Sequence, residues 1–273
     1  MSDPAQTPGQ GLSGQGMSGQ GVVVTGAAGG IGKALAARLA REGARVVVND
    51  LDPAATEAAA AEIGAHPVPG DAASEAGVAA LMHAAREHLG HIDAYFANAG
   101  IARGVGLEAP ESAWTASWEV NTMAHVRAAR LLVPDWLERG AGRFVVTASA
   151  AGLLTALGSP SYSVTKHAAV AFAEWLSATY RHRGIVVQAI CPQGVQTAML
   201  EESGPARAII AADGALTPDQ VAEVTWQALQ DDRFLVLPHP EAAEYYRNRA
   251  TDTDHWLVGM NKLQRWMERE SQA

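Results

Sequence analysis

The stretch that decides the fold is Gly21-Val-Val-Val-Thr25, which runs directly into Gly26-Ala-Ala-Gly-Gly30-Ile-Gly32. The β-branched run is typical of a strand, and residues 31–42 carry Leu35 and Leu39 at helical spacing. Strand, glycine-rich turn and helix in this order are the context of a phosphate-binding turn, because glycine lets a pyrophosphate approach the free N–H groups at the helix start. The alternative is a glycine-rich turn without a ligand. In this context we predict a dinucleotide site.

The rest of the chain alternates strands with helices. Six further strands are predicted at residues 45–50, 66–71, 92–97, 143–147, 185–190 and 234–237. Helices are predicted at residues 53–63, 74–89, 118–139 and 160–182, and a capping box at Thr217-Pro-Asp-Gln220 begins another. Pro134 should kink or end the helix at 118–139. The pattern predicts an α/β fold, a doubly wound parallel β-sheet (Rossmann fold) of about seven strands with helices on both faces.

Composition divides the chain into three parts. Residues 1–20 are mostly Gly, Gln, Ser and Pro, which predicts a disordered tail. Residues 21–240 form the Rossmann-type domain, and within it residues 198–216 lack a core pattern and are predicted to be a mobile flap. Residues 241–273 carry Trp256 and Trp266 among charges and are predicted to be a helical C-terminal extension of the same domain. This extension could cover a neighbouring subunit's pocket or pack on its own chain.

Composition and charge also limit partners and location. Acidic residues outnumber basic ones, 29 to 20, for a net charge of -9, so nucleic acid is not an expected partner. The sequence contains no apolar run long enough to cross a membrane, so a membrane is not an expected partner. Cys191 is the single cysteine, which excludes a disulfide framework and a cysteine-based metal site. A reducing, cytoplasmic location is therefore the default expectation.

Residues 159–166, Ser-Pro-Ser-Tyr-Ser-Val-Thr-Lys, contain a candidate reaction centre. Ser159 and Pro160 predict a helix start with Ser159 as its cap, which puts Tyr162 in the first turn and Lys166 one turn later on the same face. The lysine cation and the helix dipole should lower the pKa of Tyr162 from its ordinary value of about 10. With Ser149 holding the substrate oxygen, Tyr162 could exchange a proton with an alcohol that becomes a carbonyl. The alternative is that Tyr162 and Lys166 are ordinary surface residues.

Three further positions have two possible roles each. Asp50 ends the second predicted strand 24 residues after Gly26, where it could accept both hydroxyls of an adenosine ribose or cap the next helix. Asp52 is the better cap, because it directly precedes Pro53. Asn121 lies in the first turn of the helix at 118–139, where a buried amide could bond the backbone or hold a water. The residues after Ser149 either line an apolar pocket or serve packing alone: Leu153, Leu154, Ala156 and Leu157.

These motifs, taken together and in this order, closely resemble the short-chain dehydrogenase/reductase family over about residues 20 to 240. Residues 25–32 match the family's TGxxxGxG turn, and residues 98–100, Asn-Ala-Gly, match its strand end. The cofactor contacts that the resemblance implies are Gly26, Gly30, Ile31, Gly32, Asp50, Asp71, Asn98, Gly100, Tyr162, Lys166, Val195 and Thr197. The catalytic residues that it implies are Asn121, Ser149, Tyr162 and Lys166.

The resemblance also implies a role for each catalytic side chain. Tyr162 is the acid/base, and Ser149 positions the substrate oxygen. Lys166 holds the nicotinamide ribose and lowers the tyrosine pKa, while Asn121 anchors a proton-relay water. The implied reaction is direct hydride transfer between NAD and a secondary alcohol or ketone, without a metal, in a homo-oligomer that is a tetramer or a dimer.

Elsewhere in the site, Asp71 is expected to contact the adenine ring, and Thr197 the nicotinamide carboxamide. The family usually has Pro-Gly where this chain has Pro192-Gln193, so the path of the backbone beside the nicotinamide does not follow from the resemblance.

Two other functions remain possible. One is an NADP-dependent biosynthetic ketoreductase, which the residue ending the second strand would distinguish. The other is a non-catalytic protein that senses nucleotide or scaffolds partners, against which the intact Tyr/Lys pair argues.

Overall fold

The computed structural model describes residues 16–270, and its strands form one sheet. The strands are β1 (Gly21–Thr25), β2 (Arg45–Asn49), β3 (His66–Pro67), β4 (Ala94–Ala97), β5 (Gly142–Thr147), β6 (Ile185–Ile190) and β7 (Leu235–Val236). They lie in the order β3-β2-β1-β4-β5-β6-β7, and every pair is parallel. The chain builds outward from β1 to one edge and then crosses to the other side. The predicted doubly wound Rossmann fold is confirmed.

The helices connect these strands and extend beyond the last of them. They are α1 (Gly30–Arg41), α2 (Pro53–Ile63), α3 (Glu75–Leu89), α4 (Glu111–Trp118), α5 (Ala124–Arg139), α6 (Pro160–Tyr180), α7 (Ala198–Glu201), α8 (Arg207–Ile210), α9 (Pro218–Asp231), α10 (Glu241–Thr251) and α11 (Thr253–Glu270). Within residues 16–270, none of them combines the length and the apolar character that a bilayer crossing requires.

Successive residues of β1 face opposite sides of the sheet. Val23 belongs to a buried cluster with residues of α3, α5 and α6. Val22 and Val24 belong to a second cluster with residues of α1 and α9. All three valines are fully buried, because helices cover the sheet on both faces. This is why the strands read as continuous apolar runs and not as alternating ones.

The long helix predicted at residues 118–139 begins earlier, at Glu111, so that boundary was wrong. The sequence carries no capping signal there, because Pro110 occupies the N-cap position and has no side-chain oxygen. A π turn over residues 119–123 separates α4 from α5. Pro134 lies inside α5, which continues to Arg139.

Helix starts with a side-chain cap follow the sequence more closely. Asp52 caps α2 by accepting a hydrogen bond from the Ala55 N–H at 3.1 Å, and the capping box of Thr217 and Gln220 begins α9. At α6, Pro160 is the first helical residue as predicted. Ser159 occupies the N-cap position but makes no side-chain capping bond, because its backbone (φ −129°, ψ 74°) is not in the extended cap geometry.

The predicted disordered tail, residues 1–20, is too long at its inner end. Met17 is 4% exposed and packs in the cluster beneath β1 and β2. The Gly19 N–H donates to the Gly43 carbonyl at 2.8 Å, and the Arg45 N–H donates to the Gln20 carbonyl at 2.9 Å. One apolar side chain and two backbone bonds thus fix residues 17–20 against the sheet. Residues 1–15 lie outside the described part of the chain.

Candidate active site

A cleft of about 2110 Å³ opens at the carboxyl ends of the strands, the edge at which open α/β sheets bind ligands. The predicted site residues that line it are Gly26, Ile31, Asp50, Asp71, Asn98, Gly100, Ser149, Tyr162, Lys166, Val195 and Thr197. Three predicted residues, Gly30, Gly32 and Asn121, do not line the cleft. They shape it from behind, as their contacts show.

The turn after β1 is built so that only glycine fits at two of its positions. Gly26 has φ 62°, and a Cβ there would lie 2.8 Å from the Ala99 Cα. A Cβ on Gly32 would lie 2.1 Å from the Gly26 carbonyl oxygen. Gly30, with φ 53°, faces the Thr197 side chain. The turn therefore exposes bare backbone at the start of α1, a cradle that suits a dinucleotide pyrophosphate.

Asn98 braces this turn from the neighbouring strand. Its Nδ2 donates to the carbonyl oxygens of Thr25 and Gly26, both at 3.0 Å. The backbone N–H groups of Asn98 and Ala99 donate to Thr25 Oγ1, both at 3.1 Å. The ends of β1 and β4 are thereby locked together. The first residue of the Asn-Ala-Gly motif thus braces the glycine turn with its side chain.

Asp50 follows β2 and faces the glycine turn. Its Oδ2 accepts from the Ala28 N–H at 3.0 Å, and its Oδ1 accepts from the Leu51 N–H at 2.7 Å. Asp52 caps α2, so Asp50 is not the helix cap. Both oxygens of its carboxylate accept backbone bonds, but each retains a lone pair for a ribose hydroxyl.

Asp71 organises the turn before α3 while it lines the cleft. Its carboxylate accepts from the N–H groups of Ala73 at 2.7 Å and Ser74 at 3.1 Å. Partial burial raises the pKa of Asp71, but the bonds from Ser74 and Ala73, together with the Arg127 charge, outweigh burial and hold it below its ordinary value. Asp71 is therefore a carboxylate at neutral pH.

Ser149 and Tyr162 meet at the other end of the cleft. Ser149 follows β5 in an extended conformation, and its Oγ accepts from the Ala151 N–H at 3.1 Å. The Ala150 N–H donates to the Pro192 carbonyl at 2.8 Å, which ties this loop to the end of β6. Because Ser149 Oγ uses a lone pair locally, its O–H is left to donate into the cleft.

Lys166 is buried behind Tyr162 and is 3% exposed. Its Nζ donates to the Thr147 carbonyl at 2.8 Å and lies 5.6 Å from the centre of the tyrosine ring. Burial lowers the pKa of Lys166 to about 8. A Cβ on Gly100 would lie 3.2 Å from Lys166 Nζ and 3.3 Å from Asn121 Oδ1. Gly100 is thus the point at which Lys166 and Asn121 converge.

The pKa of Tyr162 shifts in the direction opposite to the one predicted. Burial raises the pKa of its hydroxyl above the ordinary value, and the nearby Ser149 hydroxyl only partly offsets this. The Lys166 ammonium is engaged with the Thr147 carbonyl behind the ring and does not reverse it. Desolvation therefore prevails over the lysine and the helix dipole, since a phenolate is costly to bury.

Asn121 bonds the backbone, the first of the two roles that the sequence left open. Its Oδ1 accepts from the Ile101 N–H at 2.9 Å, and its Nδ2 donates to the Ile101 carbonyl at 2.8 Å. Nδ2 also donates to Thr165 Oγ1 at 3.0 Å. Asn121 lies in the π turn, a rare local geometry that is frequent at functional sites. It pins the loop after β4 to α6.

His125 lies one turn beyond Asn121, and the sequence analysis did not single it out. Burial lowers its pKa to about 3, and the Lys166 charge adds to this. The imidazole is therefore neutral at physiological pH. His125 does not line the cleft, and a neutral imidazole offers it no cationic acid.

The backbone at Gln193 is held by His239, a contact that the sequence did not indicate. The Gln193 N–H donates to His239 Nδ1 at 3.1 Å, so His239 Nε2 carries the hydrogen that reaches the Gly214 carbonyl at 3.2 Å. Gly194 bonds the Ile210 carbonyl at 3.0 Å, and a Cβ there would lie 2.9 Å from that oxygen. Gly194, one position later than the family's glycine, is thus the residue against which the segment 198–216 packs.

The apolar side of the cleft comes from two distant parts of the chain. Leu154, Ala156 and Leu157 line it, whereas Leu153 packs in the core. Residues of α10 and α11 line it as well, among them Trp256 and Met260. Of the two arrangements left open for the C-terminal extension, the structure shows packing on its own chain. The amphipathic spacing indicated a buried face but not what that face covers.

Comparison with known proteins adds family relationships to this geometry. A model of the family described as short chain dehydrogenase matches residues 20–208. The chain is similar to 1-deoxy-11-beta-hydroxypentalenate dehydrogenase of Streptomyces exfoliatus, with 38% identity over 239 residues that cover 84% of this chain and 86% of that protein. It is also similar to D-beta-hydroxybutyrate dehydrogenase of Cupriavidus necator, with 31% identity over 68% of this chain and 74% of that protein.

Solved structures show the same likeness. A short chain dehydrogenase/reductase from Burkholderia phymatum in complex with NAD superposes with a TM-score of 0.79 and 31% identity, covering 87% of this chain and 95% of that one. A 3-ketoacyl-(acyl-carrier-protein) reductase from Brucella melitensis complexed with NADH gives a TM-score of 0.75 and 29% identity, covering 81% of this chain and 96% of that one.

Proposed function

The chain belongs to the short-chain dehydrogenase/reductase family, and from this premise we propose that it is an NAD-dependent dehydrogenase of secondary alcohols, or the corresponding carbonyl reductase. That it is an oxidoreductase acting on an alcohol or ketone follows from the family and its relatives. The choice of NAD, the roles of individual residues and the class of substrate are the proposal.

The observation that carries the proposal is the grouping of Ser149, Tyr162 and Lys166 at one end of the cleft, with the glycine turn and Asp50 at the other. Two hydroxyls beside a buried ammonium suit proton exchange with an alcohol or carbonyl oxygen. The glycine turn and a carboxylate suit a dinucleotide. An open cleft containing both is what a nicotinamide-dependent reaction needs.

The protein's own residues handle the oxygen of the substrate and its proton. Ser149 donates a hydrogen bond to that oxygen, and Tyr162 takes the hydroxyl proton during oxidation or returns it during reduction. Lys166 keeps a positive charge near neutral pH because its pKa of about 8 lies above that range. This charge favours the phenolate, against the burial that disfavours it. Bound NAD would supply the acceptor of the hydride that leaves the alcohol carbon.

The preference for NAD rests on Asp50, whose carboxylate faces the glycine turn. A second negative charge about 4 Å away would cost roughly 4 kcal/mol at an effective dielectric near 20, which disfavours the extra phosphate of NADP. Arg38, a cation on α1, is already paired with Glu42 and with Glu223, the latter at 2.8 Å. It is therefore not available to neutralise that phosphate.

We also propose a homo-oligomer, a dimer or a tetramer, built on the helices around residues 118–139 and 160–182. Apolar side chains on these helices stay exposed in the single chain: Trp175 is 56% exposed, Val164 49% and Leu131 38%. A cytoplasmic location remains a prediction from the single cysteine. Sedimentation showing a 28.5 kDa species at working concentration would overturn the oligomer.

The experiment that tests the function is a screen of secondary alcohols with NAD and with NADP, read as absorbance of the reduced cofactor. Turnover with NAD is the expected result. A preference for NADP would overturn the choice of cofactor and favour the biosynthetic ketoreductase. Tight nucleotide binding without turnover of any alcohol or ketone would overturn the enzymatic role and favour a sensing protein.

A further inference from the structure

We propose that α10 and α11, here called the C-terminal wall, are a substrate-specificity element that binds the hydrocarbon body of a bulky carbocyclic alcohol or ketone. This rests on the proposed function for the reaction, but the surface itself lies outside the matched residues 20–208. The first observation is position. Residues of α10 and α11 line the same cleft as Ser149 and Tyr162, so a substrate held by those hydroxyls extends toward them.

The second observation is spacing along α11. Trp256, Met260, Leu263 and Met267 recur every three or four residues, which places them on one face of the helix. All four line the cleft. Leu257 lies on a different face of the same helix and does not line it. The apolar stripe therefore faces the cleft, and Met267 at its end is also buried.

The third observation is incomplete burial. Leu263 is 40% exposed, and Trp256 and Met260 are part-exposed. Each of the three borders the cleft, so their exposed surface faces it. Across the cleft lie Leu154 and Leu157 on one side and Ile209 and Ile210 on another. Apolar surface that faces a cleft from several sides gains free energy when a hydrocarbon displaces its water. A carbocyclic body fits this surface, whereas a small polar alcohol would leave most of it wet.

The fourth observation is how the wall is fastened to the catalytic elements. The Arg249 guanidinium on α10 donates to the Leu153 carbonyl, contacts His167 Nε2 on α6 at 3.1 Å, and lies 5.4 Å from the Trp256 ring centre. Tyr245 donates to Asp213 Oδ1 at 3.1 Å, which links α10 to the end of the flap. The wall is thus fixed relative to the loop that carries Ser149.

The test compares Leu263→Asp with the matched control Leu257→Asp on the same helix. The substrates are 2-adamantanol, a bulky tricyclic secondary alcohol, and cyclopentanol. Leu263→Asp should raise KM for 2-adamantanol by about tenfold or more, which corresponds to about 1.4 kcal/mol. It should leave KM for NAD and kcat/KM for cyclopentanol nearly unchanged. Leu257→Asp should change none of these values.

A second readout separates this inference from the proposed function. Binding of 2-adamantanone to the full chain with NAD, the oxidised cofactor that cannot reduce it, should weaken in Leu263→Asp and in Leu263→Ala but not in Leu257→Asp when measured by calorimetry. Weakened binding in a protein that oxidises no alcohol supports the wall and overturns the reaction. If both Asp variants oxidise the alcohols equally well and bind the ketone equally well, the role of the C-terminal wall is overturned and the proposed reaction stands. Circular dichroism and NADH affinity verify that each variant is folded.

Discussion

The two ends of the cleft are built in different ways. At the cofactor end, the glycine turn is held by core packing and a side-chain brace: Val22, Val23 and Val24 before it are fully buried, and the Asn98 side chain donates to the two carbonyls that follow. At the substrate end, the C-terminal wall is held by a few side-chain bonds and leaves Leu263 40% exposed. The first end is fixed by the packing of the sheet itself, whereas the second rests on a few side-chain bonds to the rest of the chain.

The largest expected effect comes from Tyr162, the proposed proton-exchanging residue. Tyr162→Phe removes the proton-exchanging hydroxyl and keeps the ring, so turnover should fall by about 10²–10⁴-fold. NAD affinity should stay close to that of the unmodified protein, because the glycine turn and Asp50 are untouched. Steady-state kinetics and direct NAD titration check this. Near-normal turnover with phenylalanine would remove Tyr162 from the mechanism.

The next effect concerns the charge of Lys166, which is buried behind Tyr162. Its folded pKa of about 8 lies below the ordinary value of 10.5, so the unfolded chain holds this proton more tightly. Below pH 8 the buried charge costs stability, and the cost disappears as pH rises from about 8 to above 10.5. Without cofactor, the free energy of unfolding of the wild type should rise relative to Lys166→Met by about 3 kcal/mol across that window. Parallel stability curves would mean that Lys166 is not desolvated.

The third effect comes from the close approach of Gly32 to the backbone of the glycine turn. Gly32→Ala places a Cβ 2.1 Å from the Gly26 carbonyl oxygen, and overpacking of this kind costs about 1–3 kcal/mol. NAD affinity should fall together with the melting temperature. Gly29→Ala is the control for stability, because no atom of residues 16–270 lies within 4 Å of its Cβ position and its φ is −160°. Equal melting temperatures for the two variants would mean that the turn is not tightly packed.

The fourth effect tests how the cofactor end selects its ligand. The unmodified protein should prefer NAD by at least about tenfold, for which about 1.4 kcal/mol suffices. Asp50→Ser removes the charge and should narrow that preference, by weakening NAD and admitting NADP. The measurement is kcat/KM for both cofactors in both proteins. Equal use of NADP by the wild type would mean that Asp50 only supports the turn.

The smallest effect is expected from the same glycine-to-alanine change made in the C-terminal wall. Gly259 lies inside α11, and a Cβ there meets nothing within 4 Å. Gly259→Ala should stabilise the helix by roughly 0.5–1 kcal/mol, because alanine loses less backbone entropy. Hydrogen exchange of α11 amides should slow accordingly. The substitution that disrupts the glycine turn would thus strengthen the wall, and faster exchange would contradict the difference between the two ends.

The sequence predicted those parts of the protein that depend on local backbone requirements. The fold followed from strand and helix periods, and the glycine turn from its strand–turn–helix context. What escaped prediction depends on contacts between distant segments. His239 supports Gln193 from 46 residues away, and α11 reaches the cleft from the end of the chain. The direction of the Tyr162 pKa shift likewise depends on desolvation, which no spacing of residues reveals.

The placement of α11 has a practical consequence for anyone who handles this protein. Its final turns, with Trp266 and Met267, border the cleft, so a fusion partner joined directly to this helix would begin beside the cleft. Activity measured on such a fusion would report on the tag as well as on the enzyme. At the other end, Met17 and Gly19 pack behind the sheet, beside Gly43. A tag joined directly to residue 16 would therefore start away from the cleft.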